Sequence, residues 1–367
     1  MTEVSDPITV KGMPGRRGVP TTFFDLSLTE LTDRLQRDGQ PAYRARQIYQ
    51  WAYQRRIESY DQMTTLPASL RSQLATTVPF DALTIEQVYE ADDGETLKIL
   101  YRTPDDQLVE TVLMFYEDRV TVCVSCQVGC AVGCSFCATG IGGLQRNLTA
   151  GEMAAQVVDA ARRSDARGRK LSNLVMMGMG EPFHNYAETL KFIRVINDQH
   201  GMGFGARRIT ISTSGIIPGI NKLAEEPLQV NLAVSLHSSN DALRSTLVPI
   251  NHRFPVQDLM RACDQYIAKT SRRISFEYAL MKGINSDHET ARELATLLRG
   301  RLCHVNIIPF NPVDMLPFER PAEADIERFA QILRDGGIPV SVRYSRGLEI
   351  AAACGQLRAR HLEVPNT

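Results

Sequence analysis

Cys130, Cys134 and Cys137 stand as C-x3-C-x2-C. Thiolates in this pattern can hold three irons of a four-iron cluster and leave the fourth iron open to another ligand. A structural zinc site normally takes four protein ligands, typically from C-x2-C pairs. Cys126, four residues before Cys130, offers a four-cysteine alternative, but only the 130, 134, 137 triple gives x3 followed by x2. Five of the eight cysteines fall between Cys123 and Cys137, a crowding that in a reducing compartment reads as metal binding or catalysis and not as a disulfide scaffold. Cys263 in DLMRACDQYI and Cys303 in RLCHVNII lie among apolar neighbours and read as small buried hydrophobes. Cys354 in AAACGQL, taken alone, reads the same way.

The elements that must carry these thiols follow from periodicity. From Ser27 to about Pro79 the pattern is helical: SLTELTDRLQRDGQ opens on a capping residue and stops at Gly39, YRARQIYQWAYQRRI follows Pro41, and LPASLRSQLATTV supplies a third segment. This module carries Tyr43, Arg44, Arg46, Arg55, Arg56 and Arg71, a basic set interleaved with aromatics that suits phosphates and exposed bases, or else a solvated face over a Trp/Tyr core. Between about Leu83 and Val124 the period becomes two, giving antiparallel strands joined by turns at ADDGE, TPDD and YEDR. After Ser125 strands alternate with helices. The strands NLVMM, RITIS, VNLAVSL, RISFEYAL, HVNIIP and VSVR predict a partial (β/α) barrel, with the cysteine triple in the loop after its first strand, where such barrels place their chemistry. The expected organisation is a helical accessory module at 1–82, an antiparallel extension at 83–124, the barrel at 125–357 and a tail at 358–367.

A chain of 367 residues, 43% hydrophobic and 23% charged, is of ordinary globular composition. Its formal net charge of -1 excludes a uniformly basic surface but not a local patch. The first twenty residues lack an apolar stretch followed by small residues, and apolar runs such as Val230 to Leu236 are too short to cross a bilayer, so a cytoplasmic protein without membrane attachment is expected.

The triple, with Phe136 before its last cysteine, resembles the motif of the radical S-adenosylmethionine superfamily. Further segments resemble the RlmN family of rRNA and tRNA adenine C2 methyltransferases: VETV (109–112), CVSCQVGC (123–130), MMGMGEP (176–182), STSG (212–215), SLH (235–237), NIIPFNP (306–312) and AACGQL (352–357). The likeness runs from about Phe24 to Leu357. It implies a [4Fe-4S] cluster on Cys130, Cys134 and Cys137 whose open iron chelates S-adenosylmethionine. It also implies a pocket for that molecule from Gly180, Glu181, Ser212, Ser235, Leu236, His237 and Asn311, with Phe136 near the adenine.

Adenine C2 is an electron-poor amidine carbon that cannot attack a methyl sulfonium, so the methyl must arrive as a radical. The resemblance implies that Cys354 takes a methyl group by displacement, that a deoxyadenosyl radical removes a hydrogen from it, and that the S-CH2 radical adds to C2. Glu110 would then accept the C2 proton, and Cys123 would attack Cys354 to release the RNA and leave a disulfide. By residue type alone, Glu110 in a strand beside a turn would face solvent. The implied partners are 23S rRNA, tRNA and an electron donor of flavodoxin or ferredoxin type, with the enzyme a monomer.

Two other readings stand beside this one. A Cfr-type C8 methyltransferase shares the cluster, both extra cysteines and the mechanism, but tends to have Ala where this chain has Pro182. A zinc-stabilised RNA-binding module without catalysis would leave Cys123, Cys354 and GMGEP without a role. Cys126 stands where the family is expected to have Ser and could compete for iron or oxidise with Cys123.

Overall fold

The structure, a computed structural model, describes residues 19–358. All of the expected tail but Arg358, and the first eighteen residues, lie outside it. Helices α1 (Leu28–Arg37), α2 (Tyr43–Tyr53) and α3 (Ala68–Thr77) form the N-terminal module. Ser27 caps α1 by accepting from Glu30 N while the Glu30 carboxylate accepts from Ser27 N at 2.7 Å, satisfying two backbone donors at once. The module buries an aromatic cluster in which the Phe23 and Phe80 rings stack at 5.4 Å. Trp51 is only partly buried against that core and carries the Arg55 guanidinium 4.0 Å above its ring.

Strands β1 (Thr84–Glu90), β2 (Thr96–Arg102), β3 (Leu108–Phe115) and β4 (Val120–Cys123) pair antiparallel in sequence order. A hairpin of β5 (Gln127–Gly129) and β6 (Leu144–Asn147) brackets the short helix α4 (Ala138–Ile141) and the cysteine triple. Then come α5 (Ala150–Ala166), β7 (Asn173–Met176), α6 (Tyr186–Asn197), β8 (Ile209–Thr213), α7 (Ile217–Glu225), β9 (Asn231–Ser235) and α8 (Asp241–Leu247). The chain continues through α9 (Val256–Thr270), β10 (Ile274–Leu280), α10 (His288–Leu298), β11 (Cys303–Pro309), α11 (Glu323–Asp335) and β12 (Val340–Val342).

All strands but the hairpin form one ten-stranded sheet in the order β1-β2-β3-β4-β7-β8-β9-β10-β11-β12. β4 is the pivot: it pairs antiparallel with β3 on one side and parallel with β7 on the other. From β4 to β12 the pairing is parallel and does not close, the partial barrel that the alternation predicts. Ile209, Ile211, Leu232, Val234, Phe276, Val305 and Ile307 bury the strands against the surrounding helices, the near-continuous apolar character expected of parallel strands covered by crossovers. Asp25 Oδ1 accepts from Gly151 N at 3.0 Å at the first turn of α5, fastening the helical module to the barrel. Among the described residues no helix is long and apolar enough to cross a membrane.

Candidate functional site

A cleft of about 980 Å³, measured to its open mouth, lies at the C-terminal ends of the parallel strands. Cys130, Cys134 and Cys137 all line it. Their loop is fixed at both ends: Cys130 N donates to Gly143 O at 3.0 Å across the hairpin, and Ser135 N donates to Leu247 O at 3.0 Å at the end of α8. Gly129 has φ +76°, and a Cβ there would collide with Gly143 O, so this entry into the loop requires glycine.

The opposite wall comes from successive strand ends. Gly180 and Glu181 follow β7, Ser212 lies in β8, Ser235 ends β9, His237 lies two residues on, and Asn311 follows β11; all of them line the cleft. Gly180 has φ +106°, and a Cβ would sit 2.6 Å from Gln127 Cβ. Gln127 Oε1 accepts from Glu181 N at 2.8 Å, so that tight crossing positions Glu181. The Glu181 carboxylate accepts from Ser214 N at 2.7 Å, Ser214 Oγ at 2.8 Å and Phe183 N at 3.0 Å. His237 has φ +58° and its Nδ1 accepts from Ala279 N at 2.9 Å, which leaves the proton on Nε2. Burial, with Arg244 second, lowers its pKa to about 3, so the ring is neutral at physiological pH. Phe136 lines the cleft with its ring edge-on to His237 at 4.7 Å. Leu236 differs from the expectation: its side chain is fully buried and does not line the cleft, and its backbone N donates to Glu277 O at 3.0 Å.

These residues fit a four-iron cluster with a bound small molecule. Each thiolate of such a cluster meets its own iron, so the ligands need only line one cavity. They do so here, although among the described residues no three Cys, His, Asp or Glu side chains converge on a single ion. Burial pushes the Cys130 thiol up to about 12 and the Cys134 thiol well above its usual range, so binding a cation there must release protons. Asn311 donates from Nδ2 to Cys354 O at 3.0 Å, while its buried Oδ1 has no partner among the described residues. An acceptor left open beside the cleft suits a ligand donor.

Cys354 is exposed, and its exposed surface is the cleft; the apolar setting of AAACGQL does not bury it. The segment carrying it is strapped across the cleft. Ala138 N donates to Gly355 O at 2.7 Å, Thr139 Oγ1 to Leu357 O at 2.7 Å, and Arg358 N to Glu110 Oε2 at 2.7 Å. Although the residue is exposed, the dense protein around its sulfur pushes the thiol up to about 11, with the Glu277 carboxylate next in effect and Cys137 after it. Cys123, at the end of β4, packs with Ile350, Ala352 and Leu357 of the same strap. Burial raises its thiol far above the ordinary range and Cys354 adds to that rise, so the two sulfurs, distant in sequence, sense each other's charge. Both are free thiols.

Glu110 corrects the expectation from residue type. It is 1% exposed in β3, and its Oε1 meets Lys98 Nζ at 3.0 Å with the lysine equally buried. It lies behind Cys123 and the strap, outside the lining of the cleft itself. Cys126 also behaves differently: it is 2% exposed and packs in the main core, its backbone held in the β4–β5 connection by Cys126 N donating to Met179 O at 2.8 Å and its carbonyl accepting from Leu148 N at 3.1 Å. The basic set of the N-terminal module is partly spent on internal contacts, since Arg56 pairs with Asp165 and Arg71 bonds Asp61 O.

Residue-by-residue reading overlooked Glu277, which lies mid-strand in β10 and lines the cleft. Burial pushes it up to about 7 against a hydrogen bond from Asn306 Nδ2 at 2.8 Å. The one sequence signal was an acidic residue inside an otherwise apolar buried strand. Arg244, also overlooked, is fully buried; nothing in its exposed-looking helix context marks it.

Residues 124–295 match the Radical SAM superfamily and residues 21–79 match the ribosomal RNA large subunit methyltransferase N-terminal domain. A probable dual-specificity RNA methyltransferase RlmN of Chloroflexus aurantiacus is 51% identical over 356 residues, covering 94% of each chain. A protein of the same description from Bacillus thuringiensis is 46% identical, covering 93% of this chain and 94% of its own. The crystal structure of a radical SAM methyltransferase from Sphaerobacter thermophilus superposes with a TM-score of 0.92 at 60% identity, covering 93% of this chain and 100% of that one.

Proposed function

This chain belongs to the RlmN family of radical S-adenosylmethionine RNA methyltransferases, and on that premise we propose that it methylates C2 of one adenosine in the peptidyl-transferase region of 23S rRNA and of the adenosine next to the anticodon in tRNA. The observation that carries the reading is the placement of Cys354, open to the same cleft as the cysteine triple and electrostatically coupled to Cys123 behind it.

Cys130, Cys134 and Cys137 hold the [4Fe-4S] cluster. Gly180, Glu181, Ser212, Ser235, His237 and Asn311 hold S-adenosylmethionine, with Phe136 against its adenine and Leu236 fixing the strand end. When bound, these two cofactors supply the methyl group and a hydrogen-abstracting radical. The rest falls to the chain. Cys354 carries the methyl as a thioether. Its raised pKa leaves little thiolate at neutral pH, and a cationic methyl donor beside it would favour the thiolate. After the carbon of that thioether has bonded to C2, Glu110 takes the C2 proton, and the unpaired electron of the adduct would return to the cluster. Both its oxygens are engaged, one by Lys98 and one by Arg358 N–H, so one of these bonds must give way for it to accept the proton. Cys123 then attacks the Cys354 sulfur, the S–C bond breaks with its electron pair left on the former methyl carbon, and that carbon takes up a proton as the RNA leaves with its methyl group. An external reductant resets the disulfide, a protein of flavodoxin or ferredoxin type serves as electron donor, and the enzyme works as a cytoplasmic monomer.

The test is anaerobic turnover of reconstituted protein on 23S rRNA fragments and tRNA, with product nucleosides identified by mass spectrometry against C2 and C8 standards. 2-Methyladenosine that vanishes in Cys354→Ala supports the reading. 8-Methyladenosine moves the protein to the Cfr type, and absence of methylation with an intact cluster removes the substrate assignment.

A further inference from the structure

Arg244 is a buried cation whose guanidinium bonds no carboxylate among the described residues; the buried Glu181 carboxylate bonds the far side of Ser214. Its side chain is 0% exposed, and its guanidinium donates to Leu236 O at 2.9 Å, Asn251 Oδ1 at 2.8 Å, Ser214 O at 2.7 Å and Ser235 O at 3.1 Å. All four acceptors are neutral. Asp241, on the same helix, is taken up by Asn251 Nδ2 at 2.9 Å and Val256 N at 2.7 Å. A buried charge is costly unless something of opposite sign compensates it.

The missing counter-charge lies on the side of the cysteine loop. Helix α8, which carries Arg244, ends at Leu247, and Leu247 O accepts from Ser135 N between the second and third cysteines of the triple. Val132 packs on Leu247 and Val248, with Cys130 and Cys134 against the same cluster. Ser214 and Ser235, whose carbonyls the guanidinium holds, line the cleft. Burial lowers Arg244 to about 10, and Cys134 is the foremost group opposing that fall.

We propose that Arg244 is the fixed counter-charge of the iron–sulfur cluster and sets its reduction potential. Three thiolates outweigh the charge of a four-iron core, and the electron added on reduction enlarges the excess. A guanidinium fixed in the buried helix that packs against the cysteine loop therefore favours the reduced state. The four hydrogen bonds keep it in place without cancelling its charge. This inference rests on the cluster being carried by Cys130, Cys134 and Cys137.

An EPR-monitored potentiometric titration of anaerobically reconstituted protein, with iron and sulfide content measured in parallel, tests it. Arg244→Gln should load the cluster with a midpoint more negative than wild type, while Arg244→Lys, which keeps the charge but loses the fork, should stay near the wild-type value. Should Arg244→Gln fail to fold, Asn251→Asp takes its place: it adds a carboxylate at Nη1 and should move the midpoint in the same negative direction. An unchanged midpoint in a loaded Gln or Asp variant overturns the role of Arg244, as do equal shifts in the Lys and Gln variants. Wild-type protein that binds no iron overturns the cluster assignment itself.

Discussion

Removing Lys98 should cost far more stability than removing a lysine from the surface, and the difference can be worked from its burial. The Lys98 ammonium and Glu110 carboxylate are 3.0 Å apart with both side chains 1% exposed, and the Tyr89 ring lies 5.0 Å from the ammonium. Exposed pairs are worth about 0–1 kcal/mol. Breaking a buried pair by deleting one partner costs about 3–5 kcal/mol, because the other charge is stranded away from water. Lys98→Met fills a similar volume, so little of its cost is a cavity, and the carboxylate left behind loses its buried cation while keeping the Arg358 N–H at 2.7 Å. The larger range therefore applies. Urea unfolding of cofactor-free protein, followed by circular dichroism, should show a lower midpoint with an unchanged slope. Glu110→Gln should also destabilise, and the double variant should lose less than the sum, with a coupling of about 1–3 kcal/mol. A Lys98→Met loss under about 1 kcal/mol, or additive singles, would refute the reasoning.

Other expectations follow from the same geometry. With its thiol at about 11, Cys354 should alkylate with iodoacetamide roughly tenfold faster per pH unit up to that value, read by peptide mass spectrometry; a plateau below pH 9 contradicts it. Glu277, raised by burial from 4.5 to about 7, holds its proton more tightly folded than unfolded. Its stabilising contribution is therefore full below pH 4.5 and is lost as pH rises through 7, about 3 kcal/mol in all. Glu277→Gln should thus unfold later than wild type at pH 8 and equally at pH 4; equal stability at both values counts against it. His237, at about 3, should show no imidazole titration by NMR between pH 5 and 8. Gly180→Ala, whose Cβ would sit 2.6 Å from Gln127 Cβ at φ +106°, should cost about 1–3 kcal/mol in backbone strain. It should also weaken S-adenosylmethionine binding at least tenfold, measured by equilibrium dialysis; wild-type affinity would exclude Gln127 and Gly180 as the frame of Glu181.

Local chemistry was readable where it depends on neighbours in the chain. Ser27 and Glu30 announce the start of α1, the alternation in TIEQVYE and TLKILYR announces β1 and β2, and the cysteine spacing announces the cluster loop. The ends of the parallel strands were equally legible, because the βα alternation fixes which end faces the cleft; Gly180, Ser212, Ser235 and Asn311 lie there. What residue type could not foresee was sidedness and partnership across the fold. Glu110 looks solvent-facing until β2, with Leu100 directly across from it, brings Lys98 diagonally to 3.0 Å. Cys126 looks like a fourth ligand until bonds to Met179 and Leu148, distant in the chain, set it in the core.

The sequence by itself determined the elements, the cysteine triple and the family, all of which are written in short spans or in ordered motifs. Only the tertiary structure decided that Cys354 faces the cleft and senses Cys123, that Glu277 sits in an apolar wall of that cleft, and that Arg244 lies buried among neutral carbonyls. Burial and electrostatics depend on everything that surrounds a side chain, and for these residues the surroundings come from strands and loops far apart in the chain.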